Sequence, residues 1–95
     1  MVKIDYHVKS LSELFFYCKN IKSIYFKRFN RTNINNMKSM FEGCASLEEL
    51  NLSNFNTNNV TDMEYMFYGC SDQFKNKIRS EYKNIKEEAF KEYIK

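Results

Sequence analysis

Phe55-Asn56-Thr57-Asn58-Asn59-Val60-Thr61-Asp62-Met63-Glu64-Tyr65-Met66-Phe67-Tyr68-Gly69-Cys70 decides how the chain is read, because most of what precedes it is the same segment in a less regular form. Moved back 26 positions, Phe55, Val60, Met63, Met66, Phe67, Gly69 and Cys70 fall on Phe29, Ile34, Met37, Met40, Phe41, Gly43 and Cys44. Moved back once more, Val60, Met63, Met66, Phe67 and Cys70 fall on Val8, Leu11, Leu14, Phe15 and Cys18. A fixed period of about 20–50 residues predicts one supersecondary unit stacked on itself, since a single unit cannot bury its apolar face alone.

Outward from that stretch, the second and third units open on Ile21, Ile24, Phe26 and on Leu47, Leu50, Leu52. This spacing is similar to the leucine-rich repeat pattern L-x-x-L-x-L, in which a short strand joins a parallel sheet and alternate side chains point inward. Tyr25 and Asn51 are therefore expected to point out. Asn-rich turns follow at 30–33 and 56–59, where Asn tolerates left-handed backbone. Thr61 and Glu64 are spaced as a capping box for a short helix. Gly43 and Gly69, the two glycines of the chain, stand where such helices need a left-handed residue to stop. In the first unit Val8, Leu11, Leu14, Phe15 and Cys18 sit at offsets 0, 3, 6, 7 and 10, one apolar stripe of a helix. Upstream, Val2, Ile4 and Tyr6 alternate as a strand would.

Residues 52–70, Leu-Ser-Asn-Phe-Asn-Thr-Asn-Asn-Val-Thr-Asp-Met-Glu-Tyr-Met-Phe-Tyr-Gly-Cys, resemble the repeat of the BspA-like leucine-rich repeat family of bacterial and protist surface proteins. Phe29 to Cys44 carries the same resemblance in weaker form. The resemblance implies an α/β fold: a short right-handed leucine-rich-repeat solenoid of about three coils, parallel strands on one face and short helices on the other. It also implies adhesion or protein–protein contact rather than catalysis. The expected organisation is an array over 1–70, in units 8–20, 21–46 and 47–70, followed by a helical C-terminal cap over 71–95. Past Cys70 the period fails, with Gln73 falling where Leu47 and Ile21 stand. There Phe74, Ile78 and Tyr82 recur every four residues and predict one amphipathic helix. Asn84 with Glu87 opens a second through Ile85, Ala89, Phe90, Tyr93 and Ile94. Lys75, Lys77, Arg79, Glu81 and Lys83 are expected to face water.

With 43% hydrophobic residues, sixteen aromatics and no Pro, 95 residues make one folded domain, too small for a large cleft. Neither an apolar run of about 18 residues nor a charged-then-apolar start is present, so no transmembrane helix or secretory signal is expected. The chain as it stands reads as cytoplasmic, or as a fragment of a cell-surface protein. The net charge of +3 lies wholly beyond Phe74, where seven Lys and Arg meet four Asp and Glu. That is short of the basic stripe a nucleic-acid interface needs.

Cys18, Cys44 and Cys70 are one period apart and are expected to stack as buried free thiols, with a disulfide between adjacent coils as the lesser alternative. With His7 the single histidine, no tetrahedral zinc set can be completed, and no metal, cofactor or catalytic set is expected. Three function classes remain. The first is a protein interaction module using the sheet face: Ser23, Tyr25, Lys27 and, beside them, Glu49, Asn51, Ser53. The second is a structural unit that self-associates or stacks through its N-terminal coil, exposing Val8, Leu11 and Phe15. The third places the basic amphipathic tail on a membrane or acidic partner.

Overall fold

A computed structural model describes residues 9–26, 34–52 and 57–92. The expectations for Val2, Ile4, Tyr6, His7, Val8, Lys27, Phe29, the turn 30–33, Ser53, Phe55, Asn56, Tyr93 and Ile94 lie outside the described residues. Two three-residue strands, β1 (Ser23–Tyr25) and β2 (Glu49–Asn51), pair in parallel with Ser23 opposite Glu49, Ile24 opposite Leu50 and Tyr25 opposite Asn51. Their period-2 alternation sends Ile24 and Leu50 into the core and leaves the flanking residues exposed. One α-helix, α1 (Asp72–Glu81), follows.

The segments expected as helices, 11–18, 37–44 and 63–70, are runs of turns. A helix closes its N–H groups within itself, to the fourth residue back. Here only alternate N–H groups stay inside, each bonded three residues back: Leu14 to Leu11, Phe16 to Glu13 and Cys18 to Phe15 in the first segment. The others leave. Leu11, Glu13, Phe15 and Tyr17 donate to the carbonyls of Asn36, Lys38, Met40 and Glu42. Met37, Ser39, Phe41 and Gly43 donate to those of Asp62, Glu64, Met66 and Tyr68. Turning every second N–H outward requires left-handed residues, at Glu13 (φ 60°), Ser39 (56°) and Tyr65 (58°), then at Tyr17 (55°), Gly43 (79°) and Gly69 (81°). Such residues cost about 1–2 kcal/mol each outside glycine, offset by the bonds they permit. The Thr61–Glu64 capping box does not form. Instead the side-chain oxygens of Asn36 and Asp62 accept the N–H groups of Lys38 and Glu64, each at 2.9 Å, local bonds that compete with helix.

These findings correct the expectation of a leucine-rich-repeat solenoid of strand-and-helix coils with a terminal cap. Among the described residues no strand-and-helix coil recurs, and α1 lies outside the three segments. The radius of gyration, 12.4 Å, is the roughly 12 Å expected of a globule of this length. Apolar side chains from all three segments enter one core. Its axis is a column of rings: Phe15 on Phe41 at 5.6 Å, Phe41 on Phe67 at 5.6 Å and Phe67 on Phe90 at 5.4 Å, all stacked. Met37, Met40, Met63 and Met66 fill the space around it, as a flexible thioether side chain suits uneven gaps.

Ser71 caps α1 by accepting the Phe74 N–H at 3.1 Å, and Phe74 and Ile78 turn inward, Phe74 edge-on to Phe67 at 6.0 Å. Lys75, expected in water, is buried, with its ammonium 3.3 Å from Asp72 and 3.4 Å from Glu92. The expected second helix shrinks to a 3-10 turn at Glu87–Phe90 without a side-chain cap. Its carbonyls are needed elsewhere: Glu88 and Ala89 accept the N–H groups of Tyr65 and Phe67 at 3.1 and 2.9 Å, and the Glu88 carboxylate accepts that of Met63 at 3.0 Å. Leu11 and Phe15, expected to be exposed, are buried.

Candidate functional site

The residues brought together on the outer sheet face are Ser23 and Tyr25 from β1 and Glu49 and Asn51 from β2, all exposed. Lys27 and Ser53, named with them from the sequence, lie outside the described residues. Tyr25 is 61% exposed, yet its hydroxyl donates to the Glu49 carboxylate across the strand pair. That hydrogen bond is the main cause of a raised Tyr25 pKa, so the phenol keeps its proton and the ring is tethered to β2 through its hydroxyl. Beneath it, Ile24 and Leu50 anchor both strands in the core.

A groove of about 380 Å³ continues this face between β2 and α1, lined by Glu48, Glu49, Ser71, Gln73 and Lys77 among others. The Lys77 ammonium reaches the Glu48 carbonyl at 3.4 Å. Ser71, Gln73 and Lys77 were not foreseen as part of this site, because nothing in their spacing says that they share a groove with Glu48 and Glu49. A second exposed patch was also missed: Leu14, Phe16 and Tyr17, with Phe16 edge-on to Tyr17 at 4.5 Å and the Lys19 ammonium 5.9 Å from the Tyr17 ring.

The three cysteines are free thiols. Cys44 and Cys70 are buried and donate to the carbonyls of Phe15 (3.2 Å) and Phe41 (3.4 Å). Cys18, expected to be buried with them, is half-exposed. Burial pushes the Cys44 thiol from an ordinary 9.0 up to about 11 and the Cys70 thiol up to about 12. Between pH 9 and these values the unfolded chain has lost thiol protons that the folded chain keeps, so these two groups lower stability as pH rises. Each contributes a slope of at most about 1.4 kcal/mol per pH unit. Urea unfolding between pH 8 and 11 is expected to show a steeper loss for the wild type than for Cys44→Ala. A thiol reagent at pH 8 is expected to label Cys18 in the native chain and all three only after unfolding. Fast native labelling of Cys44 would contradict this burial.

No group of three His, Cys, Asp or Glu side chains among the described residues could hold a metal ion. No helix among them is long and apolar enough to cross a membrane. Fold and surface together define a small α/β domain that presents an aromatic-and-polar sheet face. A family model described as "Mycoplasma protein of unknown function, DUF285" matches residues 5–94, and the chain belongs to that family. No curated protein and no solved structure matches it. The resemblance to the BspA-like leucine-rich repeat family is corrected accordingly: the matching family is another, and the coil of that repeat is not found among the described residues.

Proposed function

We propose that the chain is a non-enzymatic protein-binding module whose recognition surface is the exposed sheet face, with Tyr25 as its anchor. The observation that carries this reading is an aromatic ring, largely in solvent, that is already fixed by its hydroxyl to Glu49. Aromatic side chains dominate binding hot spots. One held in place before binding also avoids much of the ordering cost of about 0.5–1.5 kcal/mol per side chain. The groove beside Glu49 extends the face toward α1 and adds both signs of charge, from Glu48, Glu49 and Lys77. The basic tail supports a membrane or acidic-partner reading less well, because Arg79 is engaged by Glu87 at 2.6 Å and Lys75 by Asp72 and Glu92.

Tyr25→Ala is expected to leave the unfolding free energy, measured by urea denaturation, within about 0.5 kcal/mol of wild type. It is expected to weaken a partner captured by the wild type by about 2 kcal/mol or more, roughly thirtyfold. Tyr25→Phe, which keeps the ring and loses the tether, should fall between the two. Equal capture by wild type and Tyr25→Ala would remove the sheet face as the binding surface.

A further inference from the structure

The turn segments have a direction. In each, alternate N–H groups leave toward the segment that follows, and the carbonyls between them receive N–H groups from the segment that precedes. The first segment therefore presents a row of carbonyls, at Ser10, Ser12, Leu14 and Phe16, that no donor among the described residues meets. Leu14, Phe16 and Tyr17 flank this row in solvent. Inside the molecule the equivalent rows are met in full: Asn36, Lys38, Met40 and Glu42 each accept one N–H from the preceding segment.

At the opposite end the donor row consists of Met63, Tyr65, Phe67 and Gly69. The C-terminal segment meets it with improvised partners: two carbonyls, from Glu88 and Ala89, and the Glu88 carboxylate. Gly69, exposed, receives no acceptor from it among the described residues. The seat is held by Phe90, stacked on Phe67 at 5.4 Å and covered by the Arg79 guanidinium at 4.5 Å, and by the Arg79–Glu87 ion pair.

We infer that residues 87–90 fill, from within the chain, a seat that the carbonyl row at 10, 12, 14 and 16 of a second copy also fits, so that displacing them permits copies to associate head to tail. The match is one of number and spacing: four donors at 63, 65, 67 and 69 face four acceptors at 10, 12, 14 and 16, in the register that joins the segments internally. In the intact chain the tethered segment wins because its effective concentration is in the millimolar range. Once it leaves, each copy has one donor end and one acceptor end. An interface of two different surfaces of this kind leaves a free donor end and a free acceptor end on every assembly until a ring closes, so oligomers of increasing size form.

The test uses the full-length chain with Phe90→Glu, which removes the stacked ring and places a charge in the seat. Sedimentation velocity over a range of concentrations is expected to show a monomeric wild type and a Phe90→Glu variant that forms a ladder of oligomers. Adding Leu14→Glu and Phe16→Glu should return that variant to monomer, whereas adding Tyr25→Ala should not, which separates this contact from the sheet face. Loss of the ladder with Tyr25→Ala would move the interface to the sheet and end the proposal. Phe90→Leu, which keeps an apolar side chain, should associate more weakly than Phe90→Glu. A folded Phe90→Glu that stays monomeric to about 1 mM, the scale of the effective concentration a second copy must match, overturns the inference. So does failure of both Phe90 variants to fold, because the seat could then never be vacated.

Discussion

Phe67→Ala is expected to lower the unfolding free energy by about 3–5 kcal/mol, the range for removing a buried phenylalanine. Phe67 stands at the high end of that range for a structural reason. It is fully buried and touches three rings, stacked between Phe41 and Phe90 and met edge-on by Phe74. Aromatic pairs are worth about 0.5–1.5 kcal/mol each beyond the area they bury. The neighbours cannot collapse into the gap, because their backbones are pinned by the bonds from Phe41 to Met66 and from Phe67 to Ala89. A domain of this kind holds about 5–15 kcal/mol in all, so the variant is expected to be partly unfolded at 37 °C. Urea denaturation followed by far-ultraviolet circular dichroism measures the difference. A loss below about 1 kcal/mol would mean that the column relaxes, against the close packing described above.

Gly43→Ala is expected to cost about 2–4 kcal/mol, from two separable sources. The backbone at Gly43 has φ 79°, and a side chain there adds about 1–2 kcal/mol. The added Cβ would also lie 2.5 Å from Cδ1 of the Tyr17 ring, so the ring must be pushed away. Tyr17 takes the position in its own segment that Gly43 and Gly69 hold in theirs, and it spends its side chain covering the glycine next door. Combining Gly43→Ala with Tyr17→Ala should recover the steric part and leave only the backbone part, a coupling of about 1–3 kcal/mol in a double-mutant cycle. Gly69→Ala meets backbone instead, at 3.3 Å from the Gly43 Cα and N, and no side-chain truncation should rescue it. Strict additivity of the Gly43 and Tyr17 substitutions would show that the two do not press on one another.

The alternation of β1 and β2 determined, with no tertiary information, that Ile24 and Leu50 go in while Tyr25 and Asn51 go out. A side-chain period of two leaves no other choice for a strand with one buried face. The left-handed backbone at Gly43 and Gly69 was legible for a similar reason, since glycine is the residue that adopts it without cost. The form of segments 11–18, 37–44 and 63–70 was not legible. Buried residues such as Met37, Met40, Phe41 and Cys44 fall at offsets that suit both a helix stripe and a run of three-residue turns. Apolar spacing reports which side chains are inside, and says nothing about where a backbone N–H finds its acceptor. That choice was made by tertiary structure, because Glu13, Ser39 and Tyr65 adopt left-handed backbone only where a carbonyl of the neighbouring segment is waiting for their N–H groups. The same holds for the tail, where Ala89 gives its carbonyl to Phe67 and Glu88 shares its own between Tyr65 and Lys91, so that only a short 3-10 turn forms. It holds too for the candidate site, since the Tyr25–Glu49 bond joins residues 24 apart in sequence and the groove beside it is lined from two separate stretches, 47–49 and 71–77.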